Sequence, residues 1–276
     1  MKSKFRIENI VNKKAHFGNE SPTTVEERKY LLFPNDDAVT STLFNNDIYE
    51  PWLYEFLIDN NIDINSSTVI DIGANNGQVS VEFAHLVGDT GKVYSFEPQR
   101  LIFYQLCANV FYNGLDNVYT NNVALGNNKG FISVEKPDYF SNENVNFGDV
   151  HVGVSENYEL VELRTLDSYS FENLSIIKID VQGFEKEVLL GAKETIMRNR
   201  PLIYIEIEPD QLSYYGETEE SIFNLLKEYN YFTKRFNEGV PFTSTTGKCL
   251  DFVCIPNEYY QNRNWIIKWK ILVKNI

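Results

Sequence analysis

From residue 68 onward, apolar and polar positions alternate in a regular rhythm. The stretch 68–73, TVIDIG, is a short apolar run ending in an acid and a glycine, which predicts a buried strand. Residues 77–88, GQVSVEFAHLVG, carry apolar positions at helical spacing. KVYSFEP (92–98) predicts a second strand, QRLIFYQLCANVFYNG (99–114) a second helix closed by Gly114, and NVYTNNVALG (117–126) a third strand. The rhythm resumes with LSIIKIDVQG (174–183) as a strand and FEKEVLLGAKETIMR (184–198) as its helix. PLIYIEIEP (201–209) follows as a strand, and ETEESIFNLLKEYN (217–230) as a helix whose first-turn acids suit the helix dipole. YFTKRF (231–236) and KCLDFVCIP (248–256) predict a closing hairpin. Strands and helices alternating in this way mean βαβ units, an α/β fold and a mostly parallel sheet.

Three stretches stand apart. Residues 1–66 are polar and weakly periodic, and form an N-terminal helical or lid segment ahead of the main domain, 67–276. Within them, YEPWLYEFLIDN (49–60) places Trp52, Leu53, Phe56 and Leu57 at helical spacing, with Pro51 suited to a first turn. Residues 127–174 form a strand-and-loop insertion. In it GFISVEK (130–136) and YELVELRTL (158–166) read as exposed strands flanking the polar loop 137–157. Loops of that length inside a domain are usually functional or mobile. NWIIKWKILV (264–273) is amphipathic, and reads as packing on its own domain in preference to a membrane or a partner.

Composition narrows the class. With 276 residues, 43% hydrophobic and 23% charged, the chain can bury a large core, and wholesale disorder is excluded. Asp and Glu number 39 against 25 Lys and Arg, a net charge of −14 that argues against nucleic-acid binding. Cys107, Cys249 and Cys254 include no CxxC, which excludes a disulfide framework or a zinc ribbon, and the last two read as buried thiols. His16, His85 and His151 share no ligand-like spacing. No apolar leader and no run of 18 apolar residues occurs, so a soluble, cytoplasmic protein with no membrane span is expected.

The first strand and turn carry the chemistry. Asp71, Gly73 and Gly77 form D-x-G-x-x-x-G, not the dinucleotide G-x-G-x-x-G. An acid two residues before the first glycine suits a ligand that carries a cation and no phosphate, as S-adenosylmethionine does. A strand-to-helix turn with no ligand is the plainer alternative. Glu97, 24 residues past Gly73 at the end of the second strand, stands where α/β sheets place an acid on ribose hydroxyls. Asn122, Val123 and Ala124, near the third strand's end, are positioned to border an adenine. Asp180 and Gln182 end the fourth parallel strand. Asp180 is the candidate general base or metal ligand, and an ion pair with Lys178 is its alternative role. Glu206 and Glu208 share one face of the fifth strand as substrate or metal contacts. Asp180 with Glu206 is a pair of oxygen ligands for Mg²⁺, with no third ligand evident.

In chain order, VIDIGANNGQVS, VYSFEP, NVALGNNKG, LRTLDSY, IIKIDVQGFEKEVLLGA and RPLIYIEIE resemble the FkbM family of S-adenosylmethionine-dependent methyltransferases, over residues 45–256. The resemblance implies a class I methyltransferase fold, Rossmann-like, with a seven-stranded sheet whose last hairpin is antiparallel. It implies O-methylation of a hydroxyl on a sugar, glycan or glycosylated natural product. Carried over, the cofactor contacts are Asp71, Gly73, Ala74, Asn75, Gly77 and Glu97, joined by Gln78, Pro98, Asn122, Ala124 and Asp180. Asp180 and Glu206 become the catalytic candidates, and Gln182 and Glu208 the substrate contacts. Gln182 stands where the family pattern has Glu, so hydrogen bonding there carries over and negative charge does not. Two other readings remain open: a binding protein that kept the cofactor fold without catalysis, and an NAD-dependent oxidoreductase, which the missing middle glycine disfavours. A homo-oligomer is compatible with the sequence.

Overall fold

The computed structural model describes residues 13–14, 27–33, 36, 39–44, 49–141, 143–153, 156–236 and 251–260. The expectations for 264–273, His16 and Cys249 lie outside the described residues.

The main sheet has seven strands. Its centre is β3 (Thr68–Ile72), parallel to β4 (Lys92–Phe96) on one side and β9 (Leu174–Ile179) on the other. β5 (Val118–Asn121) extends one edge in parallel, and β10 (Leu202–Glu206) lies parallel to β9. β12 (Asp251–Pro256) inserts antiparallel between β10 and β11 (Tyr231–Arg235), which makes the expected reversed final hairpin.

Every residue of β3 and of β9 is buried, because helices cover both faces of the sheet. On one face Ile70, Ile72, Ile177 and Ile179 pack with Val188, Leu189, Ile196 and Ile222. On the other, Val69, Val93 and Ile176 meet Leu53 and Leu57 of α2 (Pro51–Asp59) and Phe83 and Ala84 of α3 (Gln78–Val87). Full burial of each aliphatic side chain contributes roughly 1.5–3 kcal/mol. The α2 helix forms where the spacing places it. Its Trp52 and Phe56 stack around Tyr204 and Phe236, which fixes the segment against the sheet. Ahead of it lie a two-residue ladder, β1 (Lys13–Lys14) with β2 (Glu27–Arg28), and the short α1 (Val39–Phe44).

Four local expectations are corrected. The third strand is divided: after β5, β6 (Ala124–Leu125) leaves the main sheet and pairs with β8 (Tyr158–Arg164). β8 also pairs antiparallel with β7 (Gly130–Glu135), so 127–174 is built on a second, three-stranded sheet. Its strands are exposed on one face only; Val134 and Val161 bury with Val150 and Val152, whereas Phe131 and Leu160 face outward. The predicted helix over 184–198 is broken at Ala192 into α5 (Glu185–Gly191) and α6 (Lys193–Asn199). Asp167 accepts the Glu194 and Thr195 N–H groups and so caps α6 from a distant part of the chain. Finally, β10 ends at Glu206. Glu208 is outside it, preceding Pro209 of α7 (Pro209–Ser213), so the two glutamates do not share a strand face. Among the cysteines, Cys254 is a buried free thiol and Cys107 is half-buried and free.

Candidate active site

The site lies at the carboxyl ends of β3, β4, β9 and β10, where the strand order reverses, the usual place for a ligand in an open α/β sheet. After β3 the chain turns sharply into α3. Gly73 has φ +77, and a Cβ there would overlap the carbonyl oxygen of Asp180 on the neighbouring strand. The glycine is therefore required by the packing of the two strand ends, before any ligand is considered. The Gly73 and Ala74 N–H groups donate to the Phe96 carbonyl at 3.0 Å each. Gly77 abuts Leu106 of α4 (Arg100–Tyr112).

Two cavities open on this turn. The larger runs from Gly73 past Glu97 and Pro98 to Val123, Ala124 and Leu125. The smaller is bounded by Ala74, Asn76, Gln78, Tyr49 and Lys178. Gly73, Asn75, Gly148 and Asp180 line both, so the cavities adjoin there. Gly148 belongs to the polar loop of the insertion. The Gln99 amide holds that loop by donating to the Phe147 carbonyl at 2.8 Å, and the Tyr139 hydroxyl donates to Gln99 at 3.1 Å.

The polar groups divide by position. Glu97 is buried and accepts the Asn75 N–H on one oxygen (2.9 Å) and the Gln99 N–H on the other (2.8 Å). Burial pushes its carboxyl up to about 7 although these donors pull it down. In the smaller cavity the Gln78 side chain is 2% exposed, and neither its amide nitrogen nor its oxygen has a partner among the described residues. Asn75 Oδ1 and Asn76 Nδ2 are likewise buried and unpartnered among them. Buried polar atoms left without partners cost about 1–3 kcal/mol each.

Asp71 lies deeper than expected. It is fully buried beneath the turn, lines neither cavity, and accepts the Ser80 hydroxyl at 2.5 Å. Asn122 also stays out of the cavities. Its amide donates to the Glu97 and Pro98 carbonyls (2.9 and 3.0 Å) and so supports the strand end, while Val123 and Ala124 form the wall.

At the junction, Asp180 accepts the Lys178 ammonium at 3.0 Å and the Gln182 amide at 3.0 Å. The ion pair weighed from the sequence is thus present. Burial works to raise the Asp180 carboxyl, but Lys178 and the hydrogen-bond donors override it and hold it below the usual range. Glu206 is pushed well up by burial and by the adjacent Asp180, so negative charge is favoured on Asp180 over Glu206.

Glu50 is a member of this cluster that spacing does not reveal. Its side chain is 9% exposed, and its Oε2 lies 3.7 Å from Lys178 Nζ. Burial pushes its carboxyl up to about 8. Its one local signal is the Glu50-Pro51 step at the start of α2; its approach to Lys178 is a product of the tertiary fold. Glu208 is half-buried at the start of α7 and lines neither cavity. Among the described residues, no group of three or more His, Cys, Asp or Glu is placed to hold a metal ion.

A parallel sheet with a reversed last hairpin, hollowed at its strand-order reversal, defines a class I methyltransferase fold. The family model described as the methyltransferase FkbM domain matches residues 71–233. The chain belongs to the FkbM methyltransferase family. Among solved structures, it is similar to the methyltransferase FkbM from Methylobacillus flagellatus, at 17% identity and TM-score 0.46, over 69% of this chain and 44% of that one. It is also similar to a SAM-dependent methyltransferase from Aquifex aeolicus, at 15% identity and TM-score 0.44, over 80% and 93% of the two chains. A SAM-dependent O-methyltransferase from Thermotoga maritima matches at 10% identity and TM-score 0.47, over 79% and 70%. The chain thus spans less than half the length of the Methylobacillus protein. No curated protein matches it. No helix among the described residues is long and apolar enough to cross a membrane.

Proposed function

We propose that this protein is an S-adenosylmethionine-dependent O-methyltransferase whose acceptor is a hydroxyl of a sugar, glycan or glycosylated natural product. The observation that carries the reading is the pair of adjoining cavities, with unpartnered buried polar atoms in one, an acid for ribose in the other, and a carboxylate pair at their junction.

The residues present fit the cofactor. The unpartnered Gln78 amide, Asn75 Oδ1 and Asn76 Nδ2 offer donors and acceptors to its amino-acid end. Each Glu97 oxygen is engaged by one N–H and keeps a lone pair for a ribose hydroxyl. Val123, Ala124 and Pro98 supply apolar surface for adenine. Asp71 acts from below, by fixing the turn. When bound, S-adenosylmethionine supplies a methyl group activated by the sulfonium.

The protein's own work is alignment and proton acceptance. An alcohol oxygen becomes strongly acidic as its new bond to carbon forms. A carboxylate held below its usual range is then still base enough, so Asp180 takes the proton late in the transfer. Lys178 keeps Asp180 ionised until then. Glu208 and the Gln182 carbonyl add acceptors suited to the hydroxyls of a polyol.

The test is transfer of labelled methyl from S-adenosylmethionine to a panel of glycans and glycosylated small molecules. The expected product is an ether that survives alkali. Label found only in alkali-labile esters, or only on nitrogen, contradicts the proposal.

A pH dependence follows from Glu97. Its carboxyl is protonated below about pH 7 in the free protein, and hydroxyl donors favour the ionised form, so binding releases a proton below that pH. Affinity for S-adenosylhomocysteine should climb by up to about tenfold per pH unit as pH rises toward 7, then level off. Equal affinity about one unit below and about one unit above that midpoint would contradict this role.

A further inference from the structure

We propose that Gln182 takes the place of a bridging cation between Asp180 and Glu206, so that this acid pair is held together by an amide and works without a divalent ion. The inference goes beyond the methyl-transfer reading and does not depend on which acceptor is used.

The geometry begins with the backbone. Gln182 has φ 50, a left-handed conformation that a residue with a Cβ rarely adopts. The surrounding turn maintains it: the buried Glu185 carboxylate accepts the Gly183 N–H at 3.0 Å. Strained residues that persist in this way concentrate at functional sites. Here the turn carries the side chain back to the ends of β9 and β10. Its amide nitrogen donates to Asp180 Oδ1 at 3.0 Å and to Glu206 Oε2 at 3.1 Å. Both amide hydrogens are therefore engaged, one on each acid.

That arrangement has a chemical consequence. With its nitrogen facing the two acids, the amide gives them donors, and a metal at that point would require the side chain to turn its oxygen inward. A magnesium ion joining the same two oxygens would need ligands at about 2.0–2.1 Å in a near-octahedral set. The nitrogen sits between those oxygens and satisfies them. The other Asp180 oxygen accepts from Lys178 Nζ at 3.0 Å, so both oxygens of that carboxylate have nitrogen donors and the ammonium balances its charge. The Mg²⁺ pairing of Asp180 with Glu206 expected from the sequence thus meets a donor where its ion would stand. Replacing the amide by a third carboxylate, Gln182→Glu, converts the same point into an all-oxygen ligand set.

The experiment uses Mn²⁺ alone as the probe, on the full-length chain without cofactor. Free Mn²⁺ is followed by electron paramagnetic resonance for the native protein, Gln182→Glu and Gln182→Met, and melting temperatures are recorded with and without the ion. Gln182→Glu should bind Mn²⁺ at least about tenfold more tightly than the native protein and melt higher in its presence. Gln182→Met should melt below the native protein and gain nothing from Mn²⁺. The proposal is overturned if Gln182→Glu gains no affinity, or if the native protein takes up Mn²⁺ in a manner abolished by Asp180→Asn. That last comparison decides the matter even if Gln182→Glu does not fold. Failure of the native protein to bind S-adenosylhomocysteine would undo the proposed function and leave this result intact.

Discussion

The Gly73→Ala variant will lose on the order of 3–5 kcal/mol of stability and with it all measurable cofactor affinity. Two costs combine. The backbone at 73 has φ +77, which is unfavourable for any side chain, and the added methyl group would overlap a backbone carbonyl, Asp180 O, that has no rotamer to escape into. The contact joins β3 to β9 at the base of both cavities, so the strain falls where the strand ends must stay close. Gly114→Ala is the control. It also has positive φ, +69, but open space around its Cβ, so it isolates the conformational cost at about 1 kcal/mol. Denaturant titration of the two variants separates the contributions. Equal destabilisation by both would mean that the strand ends tolerate the extra methyl group.

The second large effect is on turnover. Asp180→Asn preserves shape and removes the charge proposed to accept the acceptor's proton. The rate constant should fall by about 10²–10⁴, with S-adenosylhomocysteine affinity within about threefold of the native value. Stability will fall as well, because Lys178 loses the charge of its 3.0 Å partner, and Glu50 lies farther away at 3.7 Å. A structural role alone would lower stability and leave the turnover of the folded fraction intact. Native turnover in the folded variant would remove Asp180 from the chemistry.

Much of this architecture is legible in the sequence for a simple reason. Central parallel strands are buried on both faces, so β3 and β9 appear as near-continuous apolar runs that end at the residues of interest. The position of Glu97 follows from the same regularity, since one βαβ unit fixes the distance from Gly73 to the next strand end. The features that are not legible depend on contacts between distant segments. The break at Ala192 is imposed by Asp167, which lies in another part of the chain. Ala124–Leu125 follows β8 because the insertion offers a pairing edge that no local propensity announces. Asp71 is buried beneath the turn on the Ser80 hydroxyl and the Asn122 amide is engaged with backbone carbonyls, a depth that strand position alone does not encode. Glu50 reaches the acid cluster from outside the matched family domain, carried there by the aromatic packing of α2.

Calorimetric titration of the native protein with S-adenosylhomocysteine, beside NAD under the same conditions, measures directly what the two adjoining cavities hold. The expected result is one S-adenosylhomocysteine bound per chain and no heat of binding from NAD. Binding of NAD in its place, or of neither compound, would contradict the account.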